Sequence, residues 1–140
     1  MSGYDRALYQ TYLASVPMFR SCTPEQLDRL AELGTAVAAQ DSDIVREGDA
    51  GNEFFLITSG TARVSRGGTA VTDLGQSDYF GELSLFDPAP RNATVTAVGE
   101  VTLVSLSRDA FRQALNEMPP IRDALLHGMA HRLHELDARA

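Results

Sequence analysis

The spacing of hydrophobic residues changes twice along the chain. Before Thr35 the spacing is that of short amphipathic helices, and after Ser107 it becomes helical again. Between these two points, short apolar runs alternate with glycine and other turn residues, which is typical of β-strands. Many short strands at regular spacing favour a sandwich or a jelly roll. The pattern therefore predicts a helical lead-in over residues 1–34, a β-roll over 35–106 and C-terminal helices over 107–138.

Local signals place the helices. The segment Thr23-Pro24-Glu25-Gln26 is a capping box with proline at the first helical position, so a helix is predicted from Pro24 to Leu33. Residues 4–15 predict a shorter helix before it. Pro119-Pro120 interrupts the helical pattern and starts a last helix, from Pro120 to Ala138. The apolar residues of that helix share one stripe: Ile121, Leu125, Met129, Leu133 and Leu136.

Glycines divide the predicted β-roll into strands. Gly67-Gly68 predicts a tight hairpin turn, and Ser59-Gly60 predicts a break between two other strands. Gly48, Gly60 and Gly75 are expected to supply turns with a positive φ. The phenylalanines of this region and of the following helix are predicted to lie in the core: Phe54, Phe55, Phe80, Phe86 and Phe111.

Size and charge narrow the classes of function. With 140 residues, of which 44% are hydrophobic, the chain has room for one domain with a real core. Its net charge of −7 argues against a nucleic-acid interface, and it requires that any anionic ligand be held by local donors. Cys22 is the only cysteine, and no apolar run approaches the ~18 residues of a membrane span. A cytoplasmic protein without membrane or nucleic-acid contacts is predicted.

The strongest chemical signal is a pair of segments, Phe80-Gly81-Glu82-Leu83-Ser84-Leu85 and Arg91-Asn92-Ala93-Thr94-Val95. Gly81 lets a ligand approach the backbone closely, and Glu82 can accept hydrogen bonds from sugar hydroxyls. The run after Glu82 can open a helical turn whose free N–H groups face an anion. Arg91 adds a planar guanidinium that suits a phosphate. Together these groups predict a site for a sugar phosphate.

In this helix–roll–helix order, the two segments resemble the phosphate-binding cassette of cyclic nucleotide-binding domains. That family includes the catabolite activator protein, protein kinase A regulatory subunits and cyclic nucleotide-gated channels. The resemblance runs from Val16 to Leu136 and includes Val16-Pro17-Met18-Phe19, Glu47-Gly48-Asp49 and Gly60. It implies a single domain over residues 1–140, mainly β with flanking helices. The implied fold is a double-stranded β-helix (jelly roll) with N-terminal helices and C-terminal lid helices.

The function that the resemblance implies is that of a cyclic nucleotide-binding regulatory or sensor domain, in which the ligand repositions the C-terminal helix. Glu82 would bind the ribose 2′-hydroxyl, and Arg91 would bind the cyclic phosphate. Donors around the ribose and phosphate would come from the rest of the cassette: Gly81, Leu83, Ser84, Asn92 and Ala93. The wall facing the base would consist of four residues of the β-roll: Val64, Val71, Thr72 and Leu74. Arg132 would face the purine or a partner subunit.

Three positions depart from the family pattern. Asn92 follows the arginine where guanine-selective relatives carry threonine, which favours cAMP over cGMP as the ligand. Leu136 stands where the catabolite activator protein has a hydroxyl side chain that recognises adenine. In this chain another residue would have to recognise adenine. Ser77 stands where the family usually has a turn glycine.

Other classes of function fit parts of the pattern. The apolar stripe of the last helix also suits a ligand-independent interaction or dimerisation module. His127, His131 and His134 share one helix face, where they would suit a metal ion or a pH-sensitive interface. A metal-dependent β-roll enzyme is disfavoured because no histidine precedes residue 127. Cys22 has no histidine near it in sequence, so no nucleophile and base can be paired.

The expected molecule is therefore not an enzyme, and it needs neither a metal nor a cofactor. Its partners would be a cyclic nucleotide and either a second copy, through the C-terminal helix, or an output domain or protein outside this chain. It would be a stand-alone receptor or a piece of a longer protein.

Overall fold

The computed structural model describes residues 6–86 and 89–139, without the side chains of Leu83, Met129 and residues 131–139. The helices are α1 (Arg6–Ser15), α2 (Pro24–Glu32), α3 (Arg108–Glu117) and α4 (Pro120–Arg139), with 3₁₀ turns at Pro17–Phe19 and Glu82–Leu85. The strands are β1 (Thr35–Gln40), β2 (Asp43–Val45), β3 (Glu53–Arg66), β4 (Thr69–Leu74), β5 (Tyr79–Phe80) and β6 (Thr94–Ser107). An antiparallel β region with helices before and after it in the chain confirms the predicted fold class.

The chain divides into two compact units. The β unit is Gly34–Arg108, and the helical unit consists of the described residues before Gly34 and after Arg108. Within the described part of the chain, no helix combines the length and the hydrophobicity that crossing a membrane requires.

In the helical unit, α2 begins where the capping box predicts. Thr23 Oγ1 accepts a hydrogen bond from Gln26 N at 3.2 Å, and Gln26 Oε1 accepts one from Thr23 N at 2.9 Å. This reciprocal pair satisfies two of the N–H groups that a helix start leaves open. α2 ends one residue earlier than predicted, and it buries Leu27 and Leu30.

The last helix, α4, packs on the 3₁₀ turn at Pro17–Phe19 in the same unit. The contact occurs at Gly128, where a Cβ atom would lie 2.6 Å from the Pro17 carbonyl oxygen, so only glycine permits this approach. Of the stripe predicted on this helix, Ile121 and Leu125 are buried. The other three stripe residues have side chains outside the described part of the chain.

A bidentate ion pair ties α2 to α3. Arg29 donates to both carboxylate oxygens of Glu117, at 2.6 Å from Nε and 2.8 Å from Nη2, and Gln113 donates to Oε1 at 2.9 Å. Hydrogen bonds from Arg29 and Gln113 lower the pKa of Glu117 from 4.5 to about 2. Because the folded state favours the ionised carboxylate, this pair stabilises the fold above pH 4.5, and the stabilisation is lost as the pH falls towards 2.

We expect Glu117→Gln to lower the melting temperature at neutral pH. The difference from wild type should shrink as the pH falls from 4.5 towards 2, because wild-type Glu117 then becomes protonated. Thermal melts followed by circular dichroism over this range check the prediction. Glu100→Gln removes another exposed carboxylate, which has no ion pair among the described residues, and serves as the control. A Glu117→Gln difference that stays constant with pH would contradict the assignment.

The β unit is built around two long strands. β1, β6, β3 and β4 are hydrogen-bonded in that order, and β2 and β5 pair with β6 and β3 respectively. β3 and β6 each contain 14 residues and pair antiparallel with each other over most of their length. β4 pairs with β3 alone, so it is an edge strand.

The predicted break at Ser59-Gly60 is wrong, because β3 continues through it. The pairing of β3 with β6 shifts register on both sides of Ser59, and Gly60 has a φ of 93°. A Cβ atom at Gly60 would lie 2.3 Å from the Glu100 carbonyl oxygen. The glycine therefore permits a bulge inside a continuous strand where a second strand approaches closely.

The hairpin predicted at Gly67-Gly68 is confirmed. It joins β3 to β4, and both glycines have positive φ, 56° and 81°. The positive φ expected at Gly75 is not found there. In that turn Ser77 takes the left-handed conformation, with a φ of 72°, at the position where the family pattern has glycine.

The core of the β unit comes from alternating residues of β3 and β6. The almost fully buried side chains are Phe55, Ile57, Ala62, Val95, Ala97, Val101 and Leu103. Of the predicted core phenylalanines, Phe54, Phe55 and Phe111 are buried, and Phe80 is half-buried. The assignment of Phe86 to the core is wrong: its side chain is 42% exposed, and its neighbour Leu85 takes the buried position at the end of the 3₁₀ turn.

Candidate functional site

The first half of the site is the sharp turn after β5. Gly81 has a φ of 80°, and a Cβ atom there would lie 2.5 Å from Arg91 Nη1 and 2.7 Å from the Glu53 carbonyl oxygen. Only glycine fits this position. The turn continues directly into the 3₁₀ turn Glu82–Leu85, in which Ser84 N donates to the Gly81 carbonyl oxygen at 3.1 Å. The turn thus places Glu82 and Ser84 directly after Gly81. A ligand can approach the backbone of Gly81 closely because no side chain covers it.

The second half of the site is Arg91, whose backbone is held by the turn around Gly48. Gly48 N donates to the Arg91 carbonyl oxygen at 2.8 Å, and Arg91 N donates to the Asp49 carbonyl oxygen at 2.8 Å. Gly48 has a φ of 88°, which explains the glycine of the Glu47-Gly48-Asp49 segment. These two hydrogen bonds fix the point from which the arginine side chain starts.

The guanidinium of Arg91 lies between three neighbours that carry no formal charge at the contact. Nη1 donates to Ser84 Oγ at 3.2 Å, and Nη2 donates to the Glu53 carbonyl oxygen at 2.9 Å. Its Cζ atom lies 5.9 Å from the centre of the Phe55 ring. No carboxylate in the described part of the chain forms an ion pair with it. The cation is therefore oriented but not neutralised, which is the condition for binding an anion.

Burial of Arg91 lowers the pKa of its guanidinium, and the nearby Glu53 carboxylate acts in the opposite direction. An arginine remains protonated despite such a change, because its pKa starts far above neutrality. The half-buried positive charge is poorly solvated, so an anionic ligand would gain more from it than from an exposed arginine.

A second glycine, Gly51, also lies close to the Arg91 side chain. A Cβ atom on Gly51 would lie 2.4 Å from Nε and 2.8 Å from Cδ of Arg91. No positive φ is involved at Gly51, so the requirement for glycine is the close approach of the arginine. Gly51 and Gly81 thus both leave room for the Arg91 side chain.

We expect Gly51→Ala to displace the Arg91 side chain while leaving the fold intact, because the colliding atoms belong to a flexible side chain. Affinity for a phosphate-bearing ligand should fall by about tenfold, on the scale of losing one charge-assisted hydrogen bond. Gly75→Ala, where a Cβ atom would meet nothing within 4 Å, is the matched control. Calorimetric titration and thermal melts of both variants check this, and unchanged affinity in Gly51→Ala would contradict it.

A cavity of about 580 Å³ opens beside these groups. This volume lies within the usual range of small-molecule sites. The cavity has an apolar side from the β-strands and a polar side from the cassette. Its lining residues are Val45, Val64, Arg66, Leu74, Tyr79, Phe80, Gly81, Glu82, Ser84, Ala89, Pro90, Arg91, Asn92, Ala93 and Val95.

Glu82 faces this cavity without a partner. No described residue donates a hydrogen bond to its carboxylate or forms an ion pair with it. Arg91, by contrast, already has its two protein contacts. A ligand that brings hydroxyl donors to one side and an anion to the other would satisfy both residues at once.

The structure brings together most of the residues predicted from the sequence. Eight of them line the cavity: Val64, Leu74, Gly81, Glu82, Ser84, Arg91, Asn92 and Ala93. Leu83 lies in the 3₁₀ turn, but its side chain is outside the described part. The side chain of Arg132, on α4, is likewise outside the described part, so its predicted role stays a prediction.

Val71 and Thr72, which are predicted in the wall facing the base, do not line this cavity. β4 is an edge strand that is exposed along most of its length, and Val71 is 54% exposed. Val71 is the extra residue of a β-bulge, because Thr72 pairs with Val64 and Ala70 with Ser65. Thr72 shares the face of Leu74, but it is exposed and does not line the cavity. Only Leu74, at the end of β4, reaches the site.

Sequence reasoning missed several lining residues. Val95 lies two positions after Ala93, so strand alternation from the cassette points to it. Val45 lines the cavity because β2 pairs with β6 at Val95, a pairing between segments distant in sequence. Arg66 lies two positions after Val64 on β3, and the same alternation points to it. No local signal marks Ala89 and Pro90, which precede Arg91 in the loop.

No cluster of three metal-ligating side chains occurs among the residues that the structure describes. His127 is exposed, and the side chains of His131 and His134 lie outside the described part. Burial raises the pKa of the Cys22 thiol to about 11, so Cys22 lacks the thiolate that a nucleophile needs at neutral pH.

The fold is an antiparallel β region with flanking helices, and its cavity combines the Arg91 guanidinium with an apolar wall. The sequence profile of the family named cyclic nucleotide-binding domain matches residues 37–118, more than half of the chain. The chain therefore belongs to the cyclic nucleotide-binding domain family, and the resemblance found in the sequence is confirmed.

Similar proteins are regulators of two kinds. A cAMP-dependent protein kinase regulatory subunit from Hypocrea atroviridis is 36% identical over 111 residues, which cover 79% of this chain and 24% of that protein. A CRP-like cAMP-activated global transcriptional regulator from Mycobacterium tuberculosis is 34% identical over 127 residues, covering 86% of this chain and 57% of that protein. The chain thus spans between about a quarter and just over half of the length of these relatives.

A solved structure shows the same fold over nearly the whole chain. The N-terminal domain of a transcriptional regulator from Streptomyces coelicolor A3(2) superposes with a TM-score of 0.84 at 32% identity. The superposition covers 92% of this chain and 94% of that chain.

Proposed function

We propose that this chain is a regulatory domain that binds 3′,5′-cAMP in the cavity between β3 and the cassette. The observation that carries the proposal is the Arg91 guanidinium, which is oriented by Ser84 and the Glu53 carbonyl but not neutralised. The unpartnered Glu82 carboxylate faces the same cavity. A cyclic nucleotide offers one anionic phosphate and one ribose 2′-hydroxyl in a rigid arrangement that suits this pair.

The three parts of the ligand would each meet a different part of the cavity. The phosphate would accept hydrogen bonds from Arg91 and from backbone N–H groups of the cassette, including that of Ala93. The 2′-hydroxyl would donate to Glu82. The purine would lie against the apolar side formed by Val45, Val64 and Leu74.

Two observations support cAMP as the nucleotide. Relatives at 34% and 36% identity are named as cAMP-activated and cAMP-dependent proteins. Asn92 follows the cassette arginine in place of the threonine that guanine-selective relatives carry. cGMP is the competing candidate for the ligand.

The regulatory part of the proposal concerns the C-terminal helix. Ligand binding would shift the population of α4 positions, and this requires that the ligand bind one position more tightly than another. Hydrogen exchange of the α4 backbone with and without cAMP measures such a shift. Identical exchange in both states would mean that cAMP binding does not shift the population of α4 positions.

Thermal melts test the binding proposal. Saturating cAMP should raise the melting temperature, because a ligand that binds only the folded state stabilises it. 5′-AMP should raise it less, since its open phosphate carries more charge than a single guanidinium neutralises. No shift with any cyclic nucleotide, combined with a stable dimer by light scattering, would instead favour the ligand-independent interaction module.

A further inference from the structure

A second arginine lies in the wall of the cavity. Arg66 is the last residue of β3, and it lines the cavity together with Val45, Val64 and Leu74. Arg91 contacts the carbonyl of Glu53, the first residue of the same strand. The two cations therefore belong to different parts of the site: Arg91 to the cassette and Arg66 to the apolar side.

Arg66 has no partner of its own. In the described part of the chain, no acceptor takes a hydrogen bond from its guanidinium, and no carboxylate forms an ion pair with it. The nearby Glu47 carboxylate accepts from the backbone N–H of Gly67 at 2.9 Å. Arg63, on the same strand, is instead paired with Asp73 at 3.0 Å and does not line the cavity. The Arg66 donors thus remain available to a ligand.

The position of Arg66 determines which part of a bound nucleotide it can meet. If Arg91 and Ser84 hold the phosphate, the purine lies along the apolar residues that adjoin Arg66. A guanidinium there would donate to acceptors on the edge of the base. Guanine presents two adjacent acceptors, O6 and N7, whereas adenine presents N7 beside the N6 amino donor. Arginine can therefore make two hydrogen bonds to guanine but faces a donor on adenine.

We propose that Arg66 is a specificity-determining residue that raises affinity for two 6-oxopurine cyclic nucleotides, cGMP and cIMP. It thereby reduces the preference for cAMP over these two ligands. This inference rests on the proposed function, because it requires a cyclic nucleotide in the cavity. It goes beyond that function because it assigns base reading to a residue of β3 outside the cassette.

The test compares the affinities of cAMP, cGMP and cIMP by calorimetric titration in wild type, Arg66→Ala and Arg66→Lys. Arg66→Ala should weaken cGMP and cIMP about five- to tenfold more than cAMP, the low end of the range for one bidentate contact to a base, because Arg66 is exposed. Arg66→Lys keeps the charge but lacks the planar fork, so it should lose most of the same discrimination. Arg63→Ala removes an equal charge from the same strand outside the cavity and should leave the affinities of all three ligands within about twofold of wild type.

The outcomes separate this inference from the proposed function. If wild type binds cAMP but Arg66→Ala weakens all three nucleotides by the same factor, Arg66 acts only as a charge and the inference is overturned. A larger loss for cAMP than for cGMP would also overturn it. If wild type binds none of the three nucleotides, the proposed function fails and the inference fails with it. cIMP lacks the 2-amino group of guanine, so its agreement with cGMP would locate the contact at O6 and N7.

Discussion

Replacing Arg91 by alanine is expected to cost about 2–5 kcal/mol of cAMP binding free energy, or roughly 30-fold to several thousand-fold in affinity. The phosphate would be left without its counter-charge in a half-buried position. Ser84 Oγ and the Glu53 carbonyl oxygen would each lose the hydrogen bond that Arg91 donates to them. Calorimetric titration of wild type and variant gives the difference directly.

Two further variants separate charge from geometry at this position. Arg91→Lys keeps one positive charge but cannot contact Ser84, the Glu53 carbonyl and a phosphate in one plane, so its affinity should be intermediate. Arg63→Ala changes the net charge of the chain equally, at a surface pair with Asp73, and should leave affinity within about twofold of wild type. Near-wild-type affinity in Arg91→Ala would mean that the phosphate is not held here.

Replacing Glu82 by alanine is expected to cost about 1.5–3 kcal/mol of cAMP binding, on the scale of one hydrogen bond to a charged group. Glu82 opens the 3₁₀ turn beside Gly81 and has no partner among the described residues, so its carboxylate is available to the ribose. The loss should be seen in affinity and not in thermal stability, because no described contact of the folded protein is broken.

The ribose contact can be isolated with 2′-deoxy-cAMP, which lacks the hydroxyl that Glu82 would bind. Wild type should bind this analogue about as weakly as Glu82→Ala binds cAMP, and Glu82→Ala should bind both ligands alike. Glu100→Ala, an exposed carboxylate of β6 outside the cavity, should not change either affinity. Equal binding of cAMP and 2′-deoxy-cAMP by wild type would show that Glu82 does not read the ribose.

The features that could be predicted from the sequence are those encoded by residues close together in the chain. The capping box at Thr23 and the hairpin at Gly67-Gly68 depend on a few neighbouring residues, and both are found. The cassette is also local, since Gly81 and Arg91 lie on two short segments joined by one loop. Most of its predicted members line a single cavity.

The features that could not be predicted depend on partners distant in sequence. Ser59-Gly60 has the composition of a turn, but the approach of Glu100 on β6 makes it a bulge within β3. Val71 is apolar, as a residue of the cavity wall would be, but β4 lies at the edge of the sheet and Val71 is exposed there. The requirement for glycine at position 51 appears only once Arg91 is placed against it.

The central claim, that this cavity binds a 3′,5′-cyclic nucleotide, is tested most directly by calorimetric titration of the unmodified chain with cAMP, using 5′-AMP as the comparison ligand. The account predicts saturable binding of one cAMP per chain at micromolar or tighter affinity, with much weaker binding of 5′-AMP. The account would be contradicted if the folded protein gave no measurable heat of binding with cAMP at millimolar concentration.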